Sequence, residues 1–233
     1  MHTVIFDLDG TLADTSGDLL AAANACFREM GLGDVLDHSR DAGIALRGGR
    51  PMLAEGLRRH RRYDADLVER YYPRLLECYR DAIDVHTVLY PGVETAIGAL
   101  KSAGHPVGIC TNKPEALAEL LLGRLGIRGV FDSLVGADTL AVRKPDPEPL
   151  REAVRRAGGD PALCLLVGDS DTDHATARAA GVPSVLVTFG PAGNSVAALK
   201  PEALLGSFAE LPGLVTRLTG ESGRRPPAMS RMP

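Results

Sequence analysis

Near its start the chain reads Val4-Ile5-Phe6-Asp7-Leu8-Asp9-Gly10-Thr11-Leu12, an apolar run that breaks into two aspartates and a glycine. Residues 3–6 fit a short buried strand. Side chains alternate along a strand, so Asp7 and Asp9 leave its end on the same side. Two carboxylates there are costly unless a cation or strong hydrogen-bond donors meet them. The pair therefore points to carboxylate chemistry with such groups close by, the alternative being an Asx-rich turn after an edge strand. Three further pieces argue for chemistry. Val107-Gly108-Ile109-Cys110-Thr111-Asn112 is an apolar run ending in a hydroxyl and an amide. Arg143-Lys144-Pro145-Asp146-Pro147 holds a lysine in a proline-stiffened loop ahead of a helical stretch. Leu165-Leu166-Val167-Gly168-Asp169-Ser170-Asp171-Thr172-Asp173 is an apolar strand breaking at Gly-Asp. In open α/β sheets, ligand sites form outside the carboxyl ends of the strands, and that fold would gather these pieces.

In order and approximate spacing the four pieces resemble the haloacid dehalogenase superfamily of phosphohydrolases, over residues 2–215. The resemblance implies that Asp7 is the nucleophile that attacks phosphorus and forms an aspartyl-phosphate. It implies that Asp9 protonates the leaving oxygen and then deprotonates the water that clears the intermediate. Thr111 and Lys144 would bind the transferring phosphoryl oxygens, and Asn112 would contribute to substrate binding. A magnesium ion would be held by Asp7, the backbone carbonyl of Asp9 and Asp169, with Asp173 supporting it directly or through water. Hard oxygen ligands and retained waters suit that ion.

Magnitudes explain why so many groups are needed. Phosphate-monoester hydrolysis is among the slowest uncatalysed reactions, with enzymatic accelerations of up to about 10²¹. A positioned general acid supplies only about 10² to 10⁴ of that. Positioning and preset charge, here magnesium and Lys144, must supply the rest. Aspartyl-phosphate ion pumps resemble the first motif but carry threonine at the position of Asp9, so its presence implies rapid hydrolysis.

Within the superfamily the wording is similar to that of bacterial phosphoglycolate phosphatases. Gly136-Ala137-Asp138-Thr139-Leu140, the Lys144 loop, Gly168-Asp169-Ser170 and Ala179-Ala180-Gly181-Val182-Pro183 carry that likeness. It implies a small phosphorylated metabolite as substrate, 2-phosphoglycolate foremost. A sugar-phosphate phosphatase, a phosphomutase and a non-enzymatic binding module are the other readings.

The bulk numbers suit a globular enzyme. The 233 residues allow one to two domains, with 45% apolar and 24% charged side chains. A net charge of −4 makes no electrostatic case for nucleic acid or an anionic membrane. No run approaches the roughly 18 apolar residues of a membrane span. The first strand begins at once, leaving no room for a signal peptide, so a cytoplasmic protein is expected. Cys26, Cys78, Cys110 and Cys164 have no metal-like spacing and read as reduced thiols. A monomer and a homodimer both fit.

The elements that must position these motifs follow from periodicity. The expected fold is α/β, a doubly wound parallel sheet with an inserted helical cap. The core would comprise residues 1–13 and 87–220, the cap residues 14–86, and a flexible tail residues 221–233. In the cap, Leu19, Leu20, Ala23, Phe27 and Met30 recur at helical spacing, with Asp14 or Ser16 as cap and Gly31 as terminator. At least two more cap helices are predicted, and hinges near 12–16 and 85–91. Beyond them, helix 114–125, a strand near 130–135, helix 147–157, strand 163–168, helix 173–180 and strand 184–188 alternate.

The cap should choose the substrate, because a phosphate site is generic. Gly48 and Gly49 would allow close backbone approach to substrate, and Arg47 or Arg50 could hold a carboxylate bidentately. The alternative is a solvated helix start. Arg58 to Arg62 reads as a solvated face, and His174 as a surface residue at a helix start.

Overall fold

The structure, a computed structural model, describes residues 1–221. In chain order the elements begin with β1 (Thr3–Phe6), β2 (Ala13–Asp14), α1 (Ser16–Glu29), α2 (His38–Ala45), α3 (Gly49–Arg59) and α4 (Ala65–Asp81). They continue with β3 (Val88–Leu89), α5 (Val93–Ser102), β4 (Val107–Cys110), α6 (Glu115–Arg124) and β5 (Ser133–Val135). Last come α7 (Glu148–Arg156), β6 (Cys164–Gly168), α8 (Asp171–Ala180), β7 (Ser184–Val187), β8 (Ala203–Leu205) and α9 (Leu211–Glu221).

Every residue of β1, β4, β6 and β7 is buried, which a strand accepts only where both faces of its sheet are covered. The six-stranded sheet is parallel throughout, in the order β5-β4-β1-β6-β7-β8. Alternation divides the side chains between two cores. Val4, Phe6, Ile109 and Val167 pack with Ile97 of α5, Leu121 of α6 and Leu214 of α9. Ile5, Cys110 and Leu166 pack with Leu150 and Val154 of α7 and Ala177 of α8. The chain fills β4 and β5 on one side of β1 and β6, β7 and β8 on the other, so the strand order reverses beside β1. A crevice opens at such a reversal.

Four helices, α1 to α4, lie between β2 and β3, which pair antiparallel as Ala13 with Leu89 and Asp14 with Val88. The buried carboxylate of Asp18 ties α1 to the returning chain, accepting from the Thr87 backbone N–H and hydroxyl at 2.9 and 2.7 Å and from the His86 N–H at 2.9 Å. Within the helices, a Cβ on Gly56 of α3 would lie 2.1 Å from Cζ of Phe27 in α1. Gly56→Ala should therefore cost about 1–3 kcal/mol through overpacking. Thermal denaturation would register this as a fall of several degrees, whereas an unchanged midpoint would mean that Phe27 can swing aside.

Some elements escape periodicity. The β2–β3 ribbon and β8 are two or three residues long, too short to show alternation. The N-cap of α1 is Thr15 rather than Asp14 or Ser16, and no side chain caps that end. Asp14 Oδ1 instead accepts from the Ser16 N–H at 3.0 Å. His174 corrects the expectation of a surface residue: it is buried, with Nδ1 2.8 Å from Ser184 Oγ. Its place one turn into α8, on the sheet-facing side, is what hides it. The predicted tail lies outside the described residues, apart from Glu221 at the end of α9. Among the described residues no helix is long and apolar enough to cross a membrane.

Candidate active site

Asp7, Thr111 and Asp169 each follow directly on one of three neighbouring strands, β1, β4 and β6. Sheet pairing fixes their backbones: Asp7 N–H donates to Val167 O at 2.9 Å and Thr111 N–H to Val135 O at 3.0 Å. Gly168 lets α8 come close, since a Cβ there would lie 2.4 Å from Cβ of Asp173. As a result Asp7, Asp169 and Asp173 bring carboxylate oxygens within 4.8 Å of one another.

One buried ammonium enters this cluster. Lys144 Nζ lies 3.1 Å from Asp7 Oδ2 and 2.6 Å from Asp173 Oδ1. Its loop contains the cis Lys144–Pro145 peptide and is held by Asn112, whose Nδ2 donates to Lys144 O at 3.0 Å. Asn112, expected to bind substrate, is thus used to hold the lysine. Asp173 is occupied on both oxygens: Oδ1 by Lys144, and Oδ2 by the Ser170 hydroxyl at 2.6 Å and the backbone N–H groups of Asp169 and Ser170 at 3.2 Å. Asp173 thus orients lysine and loop, while its Oδ1, which accepts from Lys144, keeps acceptor capacity for a metal ion or a metal-bound water.

The electrostatics show what the cluster lacks. Burial pushes the Asp7 carboxyl up to about 6; Lys144 opposes the rise, and Asp173 and Asp9 add to it. Burial raises the Asp169 carboxyl well above the usual range, with Asp173 and Asp7 adding, against one hydrogen bond from Thr11 Oγ1 at 3.1 Å. Burial works against the Lys144 charge, yet Asp173 and Asp7 outweigh it and hold the ammonium firmly protonated. Three carboxylates with one ammonium leave negative charge uncompensated. An all-oxygen donor set in that condition fits a hard divalent cation such as magnesium, and Asp7, Asp169 and Asp173 each offer an oxygen to it.

Gly10 adopts φ +79, and a Cβ there would lie 2.6 Å from both Asp169 Oδ2 and Leu46 Cδ1. The turn between α2 and α3 therefore reaches the rim of the site. Its neighbour Arg47 is exposed. Arg50 is turned away, with Nε 2.7 Å and Nη2 2.9 Å from the Glu69 carboxylate and its guanidinium 3.6 Å over the Tyr72 ring. Gly48 takes φ +98 ahead of α3, and a Cβ on Gly49 would lie 3.0 Å from Leu75 and Tyr72 of α4. Gly49 thus serves helix packing. Of the two arginines weighed for a substrate carboxylate, Arg47 alone is uncommitted to α4.

Asp9 has partners that sequence reading missed. Its Oδ1 accepts from the Thr15 hydroxyl at 2.7 Å and from Lys113 Nζ at 2.9 Å, and its Oδ2 is 3.2 Å from the same ammonium. Lys113 also donates to the Tyr79 hydroxyl at 2.7 Å. The one signal in the sequence was a lysine two residues beyond Thr111, and nothing local distinguishes it from a solvated one. Cys110 is buried, and burial pushes its thiol up to about 12, which makes it unreactive. All four cysteines are free.

The family described as haloacid dehalogenase-like hydrolase matches residues 1–181. The curated phosphoglycolate phosphatase of Mesorhizobium japonicum is 40% identical over 209 residues, covering 89% of this chain and 92% of its own. A crystal structure of a Haemophilus somnus protein described as a predicted phosphoglycolate phosphatase aligns with TM-score 0.81 and 24% identity, over 92% of this chain and 97% of that one, a likeness of fold alone. CbbY from Rhodobacter sphaeroides, solved in complex with phosphate, aligns with TM-score 0.74 and 26% identity, over 91% of this chain and 96% of its own.

Proposed function

Because this chain belongs to the haloacid dehalogenase-like hydrolases, we propose that it is a magnesium-dependent phosphomonoesterase that works through an aspartyl-phosphate on Asp7 and hydrolyses 2-phosphoglycolate. That it is a phosphoric monoester hydrolase acting on a small phosphorylated molecule follows from its membership and from the relatives named phosphoglycolate phosphatase. One observation carries the mechanism: the strand-end carboxylate of Asp7 stands 3.1 Å from a buried ammonium, within a cluster of carboxylates that calls for a cation.

Asp7 attacks phosphorus, and the leaving oxygen departs with a proton from Asp9. Lys144 and the Thr111 hydroxyl bind the phosphoryl oxygens, so that charge developing there meets donors already in place. Asp9 then takes a proton from the water that cleaves the aspartyl-phosphate. Asp173 and Asn112 are positioning residues, one holding the Lys144 ammonium and the other its backbone. Magnesium, held by Asp7, Asp169 and the Asp9 carbonyl with Asp173 supporting it directly or through water, would supply positive charge to the phosphoryl group and offset its repulsion from the carboxylates.

The four helices between β2 and β3 act in this reading as a cap that selects the substrate. Residues 14–86 form the cap, and residues 1–13 with 87–220 form the core. The protein works in the cytoplasm on a metabolite, with neither nucleic acid nor membrane as partner, as a monomer or homodimer.

Phosphate release across a panel of phosphomonoesters, with and without magnesium, tests the proposal. A strong preference for 2-phosphoglycolate in kcat/KM supports it, and a sugar phosphate at the head of the ranking would replace that substrate. Arg47→Ala is expected to raise KM about tenfold for carboxylate-bearing substrates, the loss of one charged hydrogen bond, and less for a neutral aryl phosphate. Equal effects on both would remove Arg47 from substrate recognition.

A further inference from the structure

Lys113 is a second buried cation at this site, and the mechanism above gives it no task. Its side chain is 3% exposed, and its three protons go to the two oxygens of Asp9 and the hydroxyl of Tyr79, whose ring centroid lies 4.3 Å from Nζ. The two lysines divide the site. Lys144 stands with Asp7 and Asp173 on the side of the nucleophile, and Lys113 stands with Asp9 on the side of the leaving group.

This arrangement occupies the group that must serve the leaving oxygen. Asp9 accepts from Thr15 and Lys113 on one oxygen and from Lys113 on the other. While Lys113 stays there, both oxygens of Asp9 are engaged by donors other than the substrate and its charge is balanced. An ammonium buried this deeply does not leave its partner for water without a large penalty. It can move to another anion at the same place. In 2-phosphoglycolate the carboxylate is one methylene away from the leaving oxygen that Asp9 serves, and so it arrives beside Lys113.

We propose that Lys113 is, beside Arg47, a specificity-determining residue for the substrate's second anionic group, and that this group frees Asp9 by taking Lys113 from it. The exchange replaces one buried ion pair by another, so no charge is left uncompensated. A phosphoester without a second anion cannot make the exchange, and it meets a site whose Asp9 is still paired. Tyr79, from α4, keeps hold of the ammonium in both states. The inference deepens the reading of the protein as a 2-phosphoglycolate phosphatase and rests on it.

The test compares 2-phosphoglycolate with ethyl phosphate, which is similar in size and lacks the carboxylate, in the full-length magnesium-loaded enzyme. In Lys113→Met, kcat/KM for 2-phosphoglycolate should fall about 10²-fold further than for ethyl phosphate, the cost of leaving one buried charge unpaired. Lys113→Arg should restore part of the preference, and Tyr79→Phe should lower it about tenfold by removing one hydrogen bond to a charged group. Equal losses on both substrates in Lys113→Met would reduce Lys113 to a neutralising partner of Asp9 and overturn the inference. Should that variant fail to fold, as judged by its thermal melt, an unchanged preference in Tyr79→Phe would overturn it instead. A wild-type enzyme with no preference for 2-phosphoglycolate over ethyl phosphate would overturn the parent reading, a result visible before any variant is made.

Discussion

Asp7→Asn is expected to lower kcat by roughly 10⁵-fold or more, as removal of a nucleophile does, while the metal-free protein becomes more stable. Asparagine keeps the shape of Asp7 and the acceptor for the Leu8 N–H at 2.7 Å, but its amide oxygen cannot form the phosphoenzyme. The stability gain has a definite sign. Burial raises the Asp7 carboxyl in the fold from its ordinary 3.8 to about 6, so the native state binds its proton more tightly than the unfolded chain does. That contribution is fully present below the unfolded value and is lost as pH rises through about 6. At neutral pH the ionised group therefore costs the wild-type fold about 2–3 kcal/mol, and the variant is spared this cost. Thermal melts in EDTA should show the two proteins diverging between pH 4 and pH 7. Hydrolysis by the variant within a hundredfold of wild type, after contaminating activity is excluded, would remove Asp7 as nucleophile.

Lys144→Met should have the opposite effect on stability. It takes away the ammonium in contact with Asp7 and Asp173 and leaves three carboxylates within 4.8 Å of one another. Breaking a buried ion pair from one side typically costs about 3–5 kcal/mol. For a chain of this size, that corresponds to a fall of about 6–20 °C in Tm when magnesium is withheld. Magnesium should restore much of the loss, because a cation bound only by the folded protein stabilises it by mass action. Turnover should stay depressed by about 10² to 10³ even with metal, since a preset donor to the phosphoryl oxygens is gone. A melt that magnesium fails to raise would move the metal away from Asp7 and Asp169.

The two variants separate functions that the geometry combines. Asp7 is unstable as an ion and is the proposed nucleophile; Lys144 is expected to serve both stability and turnover. A site that stores repulsion among carboxylates until a cation arrives predicts that one substitution stabilises the metal-free protein and the other does not.

The parallel sheet and the strand-end carboxylates were legible in the sequence because both depend on neighbours along the chain. An apolar run such as Thr3–Phe6 is buried on both faces, and the alternation of the strand sets the direction of the two aspartates that follow it. The same local logic brought Thr111 and Asp169 to the ends of β4 and β6. Long side chains obey no such rule. Arg50 was weighed for a substrate carboxylate and lies instead on Glu69 and Tyr72, nineteen residues further along in the case of the glutamate. Lys113 finds Asp9 across 104 residues of chain and Tyr79 across 34. Asn112 spends its amide on the backbone of Lys144. A flexible, charged side chain settles on whichever partner folding brings within about 3 Å, and burial magnifies the choice because an unpaired charge there is so costly. Local pattern settles which strands form and which carboxylates stand at their ends, whereas the pairing of each cation with its carboxylate is set by packing, since it depends on distances between residues far apart in the chain.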